Sequence, residues 1–152
     1  MNDLSIDQSL LKAKSLKRSD QTDNTISICE KILDEFPNNQ KAKGKHSIIM
    51  VSLIKKSEDQ LIAMMDKGDF SSMANFANKL TKKIPNSIIF WNLCGIANIN
   101  LNNFQMAESN FTQACKIDSS NPYIWANLAS SLNYQRKFNE ALDAYKKGIT
   151  LK

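Results

Sequence analysis

The side chains able to do covalent chemistry are few in this 152-residue chain, and none is placed to cooperate with another. His46 is the single histidine. General acid–base work would need a nucleophile or a second acid beside it, and no motif supplies one. Cys29, Cys94 and Cys115 are odd in number, lie in apolar patterns and include no Cys-x-x-Cys pair. Reduced, buried thiols are therefore expected, rather than a disulfide framework or a zinc site. The four glycines, Gly44, Gly68, Gly95 and Gly148, are scattered and cannot form a phosphate-cradling loop. The chain reads as a non-enzyme with no cofactor and no metal. Asparagine is abundant throughout, and its amide offers both a donor and an acceptor.

Charge narrows the partners. The formal net charge is +5, carried by 18 Lys and only two Arg, Arg18 and Arg136. Arginine supplies the bidentate reading of guanine and phosphate, so its scarcity argues against sequence-specific nucleic-acid binding. Lys41, Lys43, Lys45, His46, Lys55 and Lys56 form a basic run with no acid between Phe36 and Ser57. Nucleic acid, an acidic partner or anionic lipid could meet it. It lacks interleaved aromatics for base stacking, and the favoured reading is a solvated helix face. Apolar runs such as "SIIMVSLI", Ser47 to Ile54, fall far short of the roughly 18 residues that span a bilayer. The opening "MNDLSIDQSLLKAK" has acids before its first Lys and no apolar signal core. A cytoplasmic protein is expected.

The elements that must position these side chains come from a repeat. "WNLCGIANINLNNFQMAESNFTQA", from Trp91, returns as "WANLASSLNYQRKFNEALDAYKKG", from Trp125. Trp91 and Trp125, Phe104 and Phe138, Ala107 and Ala141, Phe111 and Tyr145, and Ala114 and Gly148 all stand 34 residues apart. One fixed period of this size marks an array of stacked supersecondary units. Within a unit, Trp91, Cys94, Gly95 and Asn98 share one helical face. Gly95 leaves room there for a close neighbour. Asn102-Asn103 signals a turn. Phe104 opens a second helix, on which Ala107, Phe111, Ala114 and Cys115 alternate small against large, as interlocking antiparallel helices require. Ser87 is placed to cap the first helix, and Asn121 with Pro122 begins the next unit. Trp125, Leu128, Ala129 and Leu132, then Phe138, Ala141, Tyr145 and Gly148, repeat both faces. The two Trp read as wedges between helices.

Earlier units are weaker. "KGDF", Lys67 to Phe70, carries a turn and an aromatic in phase, and Ser57 with Gln60 matches a capping box. Ser5 with Gln8 matches another. Pro37 precedes Pro85 by 48 residues instead of 34, so about 14 residues are inserted between Gln40 and Lys56. The expected divisions are 1–39, a degenerate helix pair; 40–56, an extra basic helix or linker; 57–87, a divergent unit; and 88–121 and 122–152, two clear units.

The 34-residue pattern of Trp, Cys-Gly or Leu-Ala, a turn, aromatic, Ala, aromatic and small residue resembles the tetratricopeptide repeat. The resemblance implies an all-α, right-handed superhelical solenoid of antiparallel helix pairs. "LSIDQSLLKAKSLKRSD" with "CEKILDEFPNN" is also similar to the start of bacterial tetratricopeptide proteins that can precede a sulfotransferase or a glycosyltransferase of the O-GlcNAc-transferase type. No such catalytic domain lies in these residues.

The family's ligand surface is formed mainly by first helices. Carried onto this chain it implies a concave binding face of Ile89, Asn92, Ile96, Ile99 and Asn100, then Tyr123, Ala126, Asn127, Ser130, Asn133 and Tyr134. Such a face is uncharged, and its amides suit the backbone of an extended peptide. Chaperone-tail binders of the family hold a carboxylate with Lys and Arg; Asn92, Ile96, Ala126 and Ser130 stand at those positions, so chaperone tails are not expected as ligands. The expected function is a non-catalytic protein- or peptide-binding scaffold. The alternative is a substrate-positioning arm of a sulfotransferase or glycosyltransferase. On the last helix Leu142, Ile149 and Leu151 are expected to stay partly exposed. That implies further chain, two copies packed end to end, or a covering partner.

Overall fold

The computed structural model describes residues 40–151 continuously, and before them the isolated helical positions 8, 11, 28, 31, 32 and 34. The rest of the expected pair over 1–39, including Ser5 and Cys29, lies outside the described residues, as do the side chains of Lys41, Lys45 and His46. The described residues form six helices and no strand: α1 (Gln40–Asp66), α2 (Phe70–Lys83), α3 (Ile88–Asn100), α4 (Phe104–Ile117), α5 (Pro122–Tyr134) and α6 (Phe138–Thr150). The chain divides into two compact units, residues 1–57 and 58–152. In the first, Ile32, Ile49 and Leu53 are buried. The second holds α2 to α6, arranged as antiparallel helix pairs.

Each first helix ends in the same way, and the period is visible in the backbone. Gly68, Asn102 and Arg136, spaced by 34, all adopt left-handed φ values of 71°, 60° and 62°. The amides of Asp69, Asn103 and Lys137 reach back to the carbonyls of Met64, Asn98 and Leu132 at 3.0, 2.8 and 3.0 Å. Those of Gly68, Asn102 and Arg136 bond Met65, Ile99 and Asn133. This is the Schellman arrangement, which satisfies the last carbonyls of a helix and turns the chain back. Phe70, Phe104 and Phe138 then open the returning helices.

The helix starts differ from the sequence reading at two places. Ser87 occupies the cap position of α3 but makes no side-chain cap bond. Ser57 does not start a helix: it sits within the 27-residue α1, buried on the same face as Leu53 and Leu61 four residues either side. With neither Gly nor Pro nearby, the backbone ladder runs on through it. Asn121 caps α5 as expected, accepting from the Tyr123 amide at 3.0 Å. Asp69 caps α2, accepting from the Ser72 amide at 3.1 Å.

Packing inside a pair turns on small residues. A Cβ on Gly95 would lie 2.5 Å from the Phe111 ring, and Phe111 is fully buried. The ring occupies the space that the missing side chain leaves. Ala107, Phe111, Ala114 and Cys115 of α4 then form one cluster with Ile124, Leu128, Ala129 and Leu132 of α5 and with Ala141 and Ala144 of α6. Trp91 and Trp125 pack half-buried against this cluster. Their indole N–H groups donate to the carbonyls of Pro85 and Ser119, at 2.7 and 2.8 Å. Each Trp therefore pins the loop six residues before it.

Two substitutions test these features. Gly95→Ala gains about 1 kcal/mol of helix propensity, but displacing a buried ring costs about 1–3 kcal/mol. A net loss is expected as a lower urea midpoint. Arg136→Gly relieves a left-handed penalty of about 1–2 kcal/mol, partly offset by the freer unfolded chain. It should stabilise by about 0.5–1 kcal/mol, read in the same titration.

Candidate functional site

The first helices α3 and α5 lie side by side and are joined by their amides. Asn127 Nδ2 donates to Asn92 Oδ1 at 2.9 Å, across 35 residues of sequence. The bond uses one of the two N–H donors of Asn127 and one of the two acceptor lone pairs of Asn92, so Asn127 keeps its carbonyl and Asn92 its NH2 group. Ile89 and Ala126 are half-buried beside them. Ile96 and Ile99 are partly buried and pack against the core cluster, so they serve the fold as well as the face. Asn100 is exposed and bonds its own helix, donating to the Ile96 carbonyl at 2.9 Å. Ser130 donates to the Ala126 carbonyl at 2.9 Å, with the Tyr145 hydroxyl 3.3 Å away. Asn133 is exposed, and Tyr123 is among the most exposed large side chains of the chain at 71%.

Tyr134 is directed elsewhere. Its ring stacks on Phe104 at the start of α4, with centroids 4.8 Å apart and 12° between planes. Gln135 extends this contact between repeats. Its amide donates to the Phe104 carbonyl at 3.2 Å and to Glu108 Oε2 at 2.7 Å. Lys137 reaches the same carboxylate oxygen at 2.7 Å. None of this was legible from the period, because the residues 34 positions from Glu108, Gln135 and Lys137 are Leu142, Leu101 and Asn103. Burial works to raise the Glu108 pKa. The hydrogen bonds from Lys137 and Gln135 and the Lys137 charge outweigh it and hold the carboxyl below its ordinary range.

A hollow of about 260 Å³ lies between α2, α3 and α4, lined by Asn75, Asn78, Asn98, Asn103 and Asn110 among others. Its buried amides are tied to one thiol residue. Asn98 donates to the Cys94 carbonyl at 2.9 Å, and Asn110 donates to Cys94 Sγ at 3.4 Å. Burial pushes the Cys94 thiol up to about 11, against the pull of the Asn110 bond. Burial likewise pushes Cys115 up to about 11. Both stay protonated and poorly nucleophilic near neutral pH. Among the described residues no group of three or more His, Cys, Asp or Glu could hold a metal ion. No helix among them is long and apolar enough to cross a membrane.

Antiparallel helix pairs at a 34-residue period, with first helices side by side, define an α-helical repeat protein. Residues 90–121 and 122–152, which fall on the α3–α4 and α5–α6 pairs, match the tetratricopeptide repeat. No curated protein sequence matches the chain significantly. The fold resembles the second tetratricopeptide domain of Spaghetti (RPAP3), solved bound to an HSP90 peptide. That match has 16% identity and a TM-score of 0.61, over 64% of this chain and 90% of that one. The Sgt2 domain from Aspergillus fumigatus matches at 18% identity and 0.61, over 64% of each chain. MamA matches at 18% and 0.61, over 92% of this chain and 74% of that one. At these identities the likeness is one of fold.

Glu108 sets a pH dependence. A carboxyl whose folded pKa is lowered adds stability above its unfolded pKa, about 4.3 for glutamate. That stability is lost as pH falls through the folded value. Glu108→Gln should lower the Tm near neutral pH, and the gap to wild type should close below about pH 4. Thermal scans across that range check it.

Proposed function

We propose that the α3–α5 face binds an extended peptide or protein segment, and that the protein is a non-catalytic interaction scaffold. The observation that carries this reading is the Asn92–Asn127 pair. It holds the Asn127 carbonyl and the Asn92 NH2 group on neighbouring first helices, where a peptide backbone could pair with both. Tyr123 adds an exposed aromatic on the same helix as Asn127. No charged residue stands among Ile89, Asn92, Ile96, Ile99, Asn100, Tyr123, Asn127, Ser130, Asn133 and Tyr134. The Spaghetti domain was solved with the acidic-tailed peptide SRMEEVD. The present face offers no cation at Asn92, Ile96, Ala126 or Ser130 for such a carboxylate, so a neutral or mixed segment fits it better. The turn at Gly68 and the aromatic Phe70, both in phase, support reading 57–87 as a third, divergent repeat. Two buried free thiols, Cys94 and Cys115, suit a reducing compartment, which favours the cytoplasm.

Selection from a peptide display library on the full chain tests the reading. Selected peptides should bind Asn92→Ala/Asn127→Ala/Tyr123→Ala about ten-fold more weakly or worse, a loss of about 1.4 kcal/mol. The helical circular dichroism should be unchanged. Their affinity should vary little with salt, because the face carries no charge. Equal binding to the folded variant would place the ligand elsewhere.

A further inference from the structure

The two junctions between successive helix pairs are built differently. One period after Cys94, Asn98 and Asn110 stand Leu128, Leu132 and Ala144, all buried in the apolar cluster. One period after Ala74, Leu101 and Asn103 stand Glu108, Gln135 and Lys137. There Gln135 and Lys137 each reach Glu108 at 2.7 Å and tie α4 to the turn after α5. Leucine and alanine are thus what this fold accepts where packing alone is required. At the earlier junction Ala74 and Leu101 have no polar side chain to form such a tie, and the hollow of about 260 Å³ lies between α2, α3 and α4.

Amides line that hollow at a cost in stability. Asn98 is 3% exposed and Asn110 9%. Taking an amide out of water is unfavourable unless its groups are paired. The Asn110 amide donates to Cys94 Sγ at 3.4 Å, and that of Asn103 to Asn98 Oδ1 at 3.5 Å. Among the described residues neither the Asn110 nor the Asn103 carbonyl accepts a hydrogen bond. Asn75 and Asn78, both exposed on α2, line the rim.

We propose that this hollow receives the side-chain carboxamide of a glutamine or asparagine in an extended segment of a partner protein. Unpaired carbonyls require a donor, and the remaining N–H groups of the same amides require an acceptor. A carboxamide carries both side by side. No charged residue lines the hollow, so an ionised group would stand there without a counter-charge. No aromatic ring lines it, so a sugar or nucleobase finds no stacking surface. Ala74, Leu101 and Met106 offer apolar contact to the methylene stem of the incoming side chain. The rim amides meet the main chain on either side of it. At about 100° per residue, Cys94, Asn98 and Leu101 lie on the side of α3 opposite Asn92 and Ile96. The site is therefore separate from the α3–α5 face.

The test selects displayed peptides of about seven residues, roughly 20–25 Å when extended. The target is the full chain carrying Asn92→Ala/Asn127→Ala/Tyr123→Ala, so the other face does not contribute. Binders should share a glutamine or asparagine and hold equally to wild type. Changing that residue to glutamate should weaken them about ten-fold or more, although the net charge of +5 favours an acid. Asn98→Leu/Asn110→Ala gives the earlier junction the side chains of the later one. Its Tm should be held or raised while binding falls by a similar factor, a split that a purely structural role for these amides would not produce. Asn75→Ala/Asn78→Ala, at exposed sites, should weaken binding with an unchanged Tm. Failure to select a binder overturns the proposal, as do binders that lack such a residue or are indifferent to Asn98→Leu/Asn110→Ala. If that variant unfolds, unchanged affinity for Asn75→Ala/Asn78→Ala overturns it instead. Free glutamine binding as tightly as the peptides gives the hollow to a small amide and also overturns it.

Discussion

Two helices of thirteen or fourteen residues cannot bury all their apolar surface against each other. Each pair has one face for its own partner and another for the next pair. The consequences run through the second unit of this protein. Phe111 belongs to both tasks: its ring fills the space over Gly95 within its own repeat and shares a cluster with Ile124 and Leu128 of the next. A residue with two burial partners admits little variation in either. That is why aromatic and small residues recur at a fixed interval.

The polar contacts divide by location. Many are local in sequence: Schellman turns, the Asp69 and Asn121 caps, and the two Trp side chains bonded to loops six residues back. Those about 30 residues apart all join successive repeats: Asn127 to Asn92, Gln135 to Phe104 and Glu108, and Lys137 to Glu108. The apolar cluster supplies most of the cohesion. The inter-repeat bonds fix how one first helix sits along the next, and hence the spacing of groups on the α3–α5 face.

Equivalence by period holds less strictly than it reads. Phe111 and Tyr145 occupy the same repeat position, yet one is fully buried and the other 40% exposed. Ala129 stands where Gly95 stands one period earlier, so this position carries a Cβ. Tyr145 sits outward instead, its hydroxyl 3.3 Å from Ser130 Oγ. Phe111 is also covered by Ile124 and Leu128 of the following helix, and among the described residues no helix covers Tyr145 in that way.

The helix pairs, their turns and most of their buried residues were legible in the sequence. They depend on residue types a few positions apart, and the 34-residue echo checks each assignment against a second copy. The close approach at Gly95, the turn at Asn102 and the cap at Asn121 all follow from such local patterns. Other features belong to the tertiary structure. Ser57 sits within a continuous helix because burial beside Leu53 and Leu61 and an unbroken backbone ladder prevail over a capping motif. The left-handed turn at Arg136 shows no glycine or asparagine; it is set by the helix ends it must join. The Asn92–Asn127 bond, the Tyr134–Phe104 stack and the Glu108 cluster join residues about 30 positions apart. Their formation depends on the angle and offset between packed helices, which no residue pattern along the chain encodes by itself.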